Sequence, residues 1–257
     1  MTLRLDSRDK EQKKNRNVVS RVAEGLSLVA GDESRAAYSP APGAAPGAPL
    51  PGARWPLPAP PGPTLSELFA ASPRDAGWVG FLLAQAKRSK PLLWVQERMA
   101  ILESGRIYPP GLGSMELIHV EARDARAALW AMEEGLRCSG LSGVIGELWG
   151  DPQVLDFTAT RRLAVAAERS HVPCWLVRLG GTANLSGARM RWRIASGPSI
   201  ANPFDTRAPG ASAWDAELFR ARGAPPGHWA IAHEADSFHL VAAPGGGALG
   251  EVERLRA

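Results

Sequence analysis

Residues 70–95 read AASPRDAGWVGFLLAQAKRSKPLLWV. Their order predicts a turn, a helix and then a buried strand. Trp78, Phe81, Leu82 and Gln85 mark the faces of the helix. PLLWVQ is a continuous apolar run of strand length. This is the layout around a phosphate-binding loop, where successive backbone N–H groups wrap a phosphate and a Lys reaches the outer oxygens. The gripping residues are absent. Pro73 has no N–H to give, Asp75 puts a negative charge where phosphate would sit, and Lys87 lies far down the helix. No Lys-Ser or Lys-Thr pair opens the helix. A plain strand-to-helix turn accounts for the same residues.

Working outward, TLSELFA (64–70) reads as a short strand or turn. MELIHVEA (115–122), LSGVIGELW (141–149) and VPCWLVRLG (172–180) are further apolar runs. Between them lie two helical patterns. In DARAALWAMEEGLRCSG, Asp124 suits the N-cap, Ala125, Leu129, Met132 and Leu136 share a stripe, and Gly140 stands past the end. In DFTATRRLAVAAERSH, Thr160, Leu163, Ala164 and Ala167 point inward. Apolar strands alternating with helices indicate an α/β fold with a mostly parallel sheet covered on both faces. ARMRWRIAS, AWDAELFRAR, HWAIAHE and SFHLVAA, separated by Gly/Pro turns, predict an antiparallel β extension at the C-terminal end.

Residues 1–38 form a basic segment with a possible helix over 12–30, where Val18, Val19, Val22 and Leu26 recur at helical spacing. Residues 39–63 hold ten of the 22 prolines and read as an extended, semi-rigid linker. Trp55 within it could dock in a partner's groove or pack on its own domain. Residues 64–257 form the main domain. The chain of 257 residues carries a formal charge of +4 (30 basic minus 26 acidic), so an acidic partner such as DNA is permitted but not demanded. Two cysteines, Cys138 and Cys174, exclude a disulfide framework and suit a reducing cytoplasm. With His171 they make a poor metal set. The charged N-terminus is no signal peptide, and no apolar run is long enough to span a membrane.

Glu147 ends an apolar strand, where nucleotide hydrolases hold magnesium through water, but where sheets also simply present polar residues. Gln96 and Glu97 end another strand at the same edge and invite the same two readings. Arg189, Arg191 and Arg193 alternate with Met190, Trp192 and Ile194, so one face of a strand carries three guanidiniums. They form either a solvated basic face or a contact row for DNA or an acidic partner, with Glu217 a counter-charge on the next strand. Arg161 and Arg162 read as a solvated helix face with a local Arg–Glu pair. No catalytic grouping stands out.

GRIYPPGL, ALWAMEEGLRCSGLSGVIGEL, LDFTATRRLAVAAE, RMRWRIASGPS and WDAELFRARGAPPGHW occur in that order. Together, from about Leu65 to Val241, they resemble the ImuA family of alphaproteobacteria. The resemblance implies a RecA-like core used in DNA-damage-induced (SOS) mutagenesis. The implied partners are an ImuB-type polymerase-like protein and an error-prone DNA polymerase, with RecA and DNA as further candidates. SPRDAGWVGF then occupies the place of the phosphate loop, PLLWVQE the strand ending in the catalytic Glu, and VIGEL the magnesium-side strand. With the gripping residues missing, the expectation is a degenerate nucleotide site. No catalytic, cofactor-binding or metal-binding residue and no bound ATP are expected, in a cytoplasmic, nucleoid-associated accessory protein of translesion synthesis. The alternative is a weak RecA-type ATPase or nucleotide-sensing switch.

Overall fold

The structure is a computed structural model and describes residues 57–86, 89–200, 202, 204–205, 207–234 and 237–240. The expected N-terminal helix, most of the Pro-rich linker and Trp55 lie outside the described residues.

Nine strands make one sheet: β1 (Leu65–Ala70), β2 (Leu92–Glu97), β3 (Leu117–Ala122), β4 (Gly143–Trp149), β5 (Cys174–Leu179), β6 (Met190–Gly197), β7 (Ala213–Ala221), β8 (Gly227–Glu234) and β9 (Ser237–Leu240). Their order is β3-β2-β4-β5-β1-β6-β7-β8-β9. All pairs from β3 to β6 are parallel, and those from β6 to β9 are antiparallel. The helices are α1 (Gly77–Leu83), α2 (Arg98–Ser104), α3 (Ala125–Leu136) and α4 (Phe157–Ser170), with a short 3-10 turn at Pro109–Leu112.

The central strands are apolar on both sides because both faces are covered. On one face α1 buries Trp78, Phe81 and Leu82 against Trp94, Trp192 and Ile194. On the other, α3 and α4 bury Leu129, Met132, Leu136, Leu163 and Ala167 against Val95, Val144 and Leu176. The caps fix where these helices begin. Asp124 Oδ1 accepts from Ala127 N at 2.8 Å, and Asp156 Oδ1 from Ala159 N at 2.7 Å. Gly146 lets α3 settle: a Cβ there would lie 2.1 Å from Met132 Sδ. Clearing that clash would mean moving the end of the Met132 side chain out of its place in the packed core.

The sheet agrees with the α/β expectation and corrects its details. Of the two readings of TLSELFA, strand or turn, the strand holds, and β1 lies centrally between β5 and β6. RMRWRIAS does not begin the antiparallel extension. It runs parallel to β1, and the reversal comes one strand later. The alternation of side chains is the same in either direction, so pattern alone cannot orient the strand. What orients it is the connection over 180–189, which passes the first turns of α4. There Gly187 N donates to Thr160 Oγ1 at 2.9 Å. Helix α3 ends at Leu136, four residues before Gly140. Leu57, assigned to the linker, is buried in the core on the α1 side.

Candidate functional site at the carboxyl edge of the sheet

The parallel strands bring their carboxyl ends to one edge, where ligands of open α/β sheets bind. The turn between β1 and α1 lies there. Ala71 N donates to Ile194 O at 2.9 Å, and Ser104 Oγ donates to Pro73 O at 3.0 Å. Asp75 organises the rest. Its Oδ1 accepts from Gly77 N at 2.8 Å and from Ser196 Oγ at 2.6 Å, and its Oδ2 accepts from Ser196 N at 2.9 Å. A Cβ on Gly77 would lie 2.7 Å from Ser196 N. Partial burial works against the charge, but the bonds from Ser196 and Gly77 outweigh it and hold the Asp75 carboxyl below the ordinary range. The start of α1 thus faces a carboxylate of its own chain, where an anion would otherwise sit. These residues do not make a triphosphate cradle: a donor is missing at Pro73, and Asp75 already takes the N–H of Gly77.

Glu147 and Gln96 meet under the same edge. Glu147 is 3% exposed, and its Oε1 accepts from Trp94 Nε1. Gln96 Nε2 donates to Glu147 Oε2 at 3.0 Å and to Gly105 O at 3.2 Å, and Gln96 Oε1 accepts from Ile107 N at 3.3 Å. Burial pushes the Glu147 carboxyl up to about 7, against the bonds from Gln96 and Trp94. Glu97 points to the opposite face. Its Oε2 accepts from Trp149 N at 2.9 Å, and burial raises its pKa. Glu147 and Glu97 are therefore not brought together, and each is used by its own chain.

The three arginines, Arg189 just ahead of β6 and Arg191 and Arg193 within it, do share one face, but the row is not solvated along its length. Arg191 is 4% exposed. Its Nε bonds Glu67 Oε2 at 2.7 Å, and its guanidinium lies over Phe69 and Phe219, 5.3 and 5.2 Å from the ring centres. The cause is register: Arg191 is level with Glu67 on β1, inside the sheet. Arg189 Nε bonds Glu168 Oε1 at 2.7 Å, and Arg193 pairs with Glu217, the counter-charge read from sequence. Arg162 reaches Glu133 of α3 at 2.6 Å, so its pair joins two helices and is not local.

Sequence reasoning missed the other members of this network. Arg178 is almost fully buried, with Nη1 3.6 Å from Glu67 Oε1 and Nη2 bonded to Asp151. Asp151 in turn accepts from Thr182 N and Oγ1, the latter at 2.7 Å. The available signal was a single charge inside each of LSELFA and CWLVRL.

Among the described residues no group of three or more His, Cys, Asp or Glu side chains is placed to hold a metal. Cys138 is exposed, while Cys174 is buried with its thiol pKa pushed up by desolvation. No described helix is long and apolar enough to cross a membrane.

Strand order, covering helices and the β1–α1 turn define an α/β protein with a RecA-like core. No family model matches the chain. Two curated relatives are similar to it, each called Protein ImuA, from Caulobacter vibrioides strains NA1000 / CB15N and ATCC 19089 / CIP 103742 / CB 15. Each is 32% identical over 172 residues, covering 60% of this chain and 67% of the relative. The chain belongs to the ImuA family.

Proposed function

We propose that this protein is a non-catalytic accessory component of a DNA-damage-induced, error-prone translesion synthesis complex. It acts by protein contacts, with a polymerase-like partner of the ImuB type and an error-prone DNA polymerase as the proteins it joins. The ImuA relationship supports the damage role. The observation that carries the non-catalytic part is Asp75. Its carboxylate takes Gly77 N–H and both donors of Ser196, so the helix start is neutralised from within. Glu147 and Glu97, the carboxylates at the expected positions, are bonded inside the fold. Arg189 and Arg193 keep side chains 28% and 48% exposed and form the contact points of the arginine row, in exchange with Glu168 and Glu217.

Two measurements test this. Titration with labelled ATP and magnesium should show no saturable binding below roughly millimolar, about −4 kcal/mol. Micromolar affinity would instead favour the nucleotide switch. In cells lacking the chromosomal copy, the chain should restore damage-induced mutation, and variants Glu147→Gln and Glu97→Gln should restore it equally. Loss of function in both variants while the proteins remain folded would oppose the reading.

A further inference from the structure

Helices α3 and α4 lie side by side on the sheet face away from α1, and between them on the outside runs a groove in two parts that meet at Thr158 and Arg162, where the Arg162–Glu133 pair crosses it. Its open apolar surface comes from half-buried Val165 and Ala166 of α4, with the buried Leu129 and Leu136 of α3 beneath. Trp130 stands at its rim, 54% exposed. The rims are strongly basic. Arg162 is tied to Glu133 at 2.6 Å and Arg137 to Glu134 at 2.9 Å, and Asp156 caps α4. Arg126, Arg161 and Arg169 also line the groove, are exposed, and have no acidic partner among the described residues.

We infer that this groove is a docking site for an acidic amphipathic helix of a partner protein. An apolar surface beside unpaired guanidiniums asks for a ligand with an apolar stripe and carboxylates along its sides. The dimensions agree. Twelve and fourteen residues of helix flank the groove, giving about 18–21 Å at 1.5 Å per residue. Arg161 and Arg169 are separated by about 12 Å along α4, close to two turns of a partner helix. Trp130 supplies the large, rigid side chain that typically dominates such contacts. The undescribed parts of this chain do not supply the complement. Residues 1–56 hold nine basic and six acidic side chains, and 241–257 hold two of each. A nucleic-acid strand would meet the exposed guanidiniums but brings no aliphatic stripe for Val165 and Ala166, so it would use only part of this surface.

This deepens the accessory reading by giving the class of partner, and rests on it only in taking that partner to be a protein. The test uses the isolated full chain, so its failure leaves the mutation-restoration result untouched, and the converse holds. The probe is a labelled helical peptide about 18 residues long, with a Leu stripe and Glu on both flanks. Its comparators are the same stripe with Lys flanks and an oligothymidylate of similar length. The Glu peptide should bind, weaken as salt rises over about 0.05–0.3 M, and lose at least about tenfold in affinity in Trp130→Ala and in Arg161→Glu/Arg169→Glu. The conservative Arg161→Lys/Arg169→Lys variant should keep most of the binding. These side chains are exposed, and circular dichroism and melting confirm the fold of each variant. Failure of the Glu peptide to bind at about millimolar concentration, equal binding of the Lys peptide, or oligothymidylate displacing the peptide from this site would overturn the proposal.

Discussion

Asp75 accepts both donors of Ser196, the backbone N–H at 2.9 Å and the hydroxyl at 2.6 Å, and so fastens the β1–α1 turn to strand β6. The same carboxylate takes Gly77 N at 2.8 Å. Asp75→Ala leaves three donors to find water and should cost about 1–3 kcal/mol. The pH sign follows from the lowered carboxyl pKa. Stabilisation by the ionised group is complete above the unfolded value near 4 and is lost as pH falls through the folded value. Urea midpoints of wild type and Asp75→Asn should therefore converge as pH falls below about 4. Parallel curves would show that the ionised form contributes nothing.

Glu147 should behave in the opposite sense. Burial raises its carboxyl to about 7, against bonds from Gln96 and Trp94. The folded state then holds a proton that the unfolded chain releases near 4.5. Stability should decline as pH rises from about 4.5 to about 7 and stay lower above that, by about 3 kcal/mol in all. Glu147→Gln cannot ionise and should lack this decline. Denaturation at pH 5 and pH 8 compares the two; an equal slope in both proteins would place the titration elsewhere.

The alternation of buried strands and helices was legible because each element carries its own period: Leu129, Met132 and Leu136 in α3 and the unbroken run of β2 need no distant partner to be read. Helix α2 was not legible, since in RMAILES only Ala100 is buried and no stripe forms. The negative charge in the turn was visible, but not what it does, because Ser196 lies 121 positions away. The arginine row was half legible. Strand parity put three guanidiniums on one face, while burial of the middle one depends on Glu67, which only the β1–β6 register brings beside it.

Leu57 is the first described residue and already belongs to the core. It is 4% exposed and sits in the cluster with Trp78 and Trp94. A chain starting at Thr64 loses this side chain and should be less stable than one starting at Pro56 by about 1.5–3 kcal/mol. Leu57→Asp in the full chain should cost at least as much, since it also buries an unpaired carboxylate. Thermal melts of the three proteins are the check. Equal melting temperatures would mean that Leu57 packs without contributing.

Arg191 and its two neighbours should separate sharply in stability. Arg189 and Arg193 make ion pairs with Glu168 and Glu217 at the solvent boundary. Such pairs contribute about 0–1 kcal/mol and weaken with salt, so Arg189→Ala and Arg193→Ala should each stay within that range. Arg191→Ala acts on a different setting. Glu67 is fully buried, and losing the 2.7 Å bond leaves it only the more distant Arg178, 3.6 Å away. The expected cost is about 3–5 kcal/mol, much of it the penalty of an under-compensated buried carboxylate. That origin can be isolated. Removing the carboxylate as well, in Glu67→Met/Arg191→Met, should recover part of the loss, because Arg178 still bonds Asp151 and Gly150 O. The double variant should then be more stable than the sum of the single effects by at least about 1 kcal/mol. Urea denaturation of the wild type, the three Ala variants, the two Met singles and the double gives every term. If Arg191→Ala costs no more than Arg189→Ala, or if the double variant is additive, the Glu67–Arg191 pair does not hold β6 to β1 energetically, and the row behaves as one uniform surface.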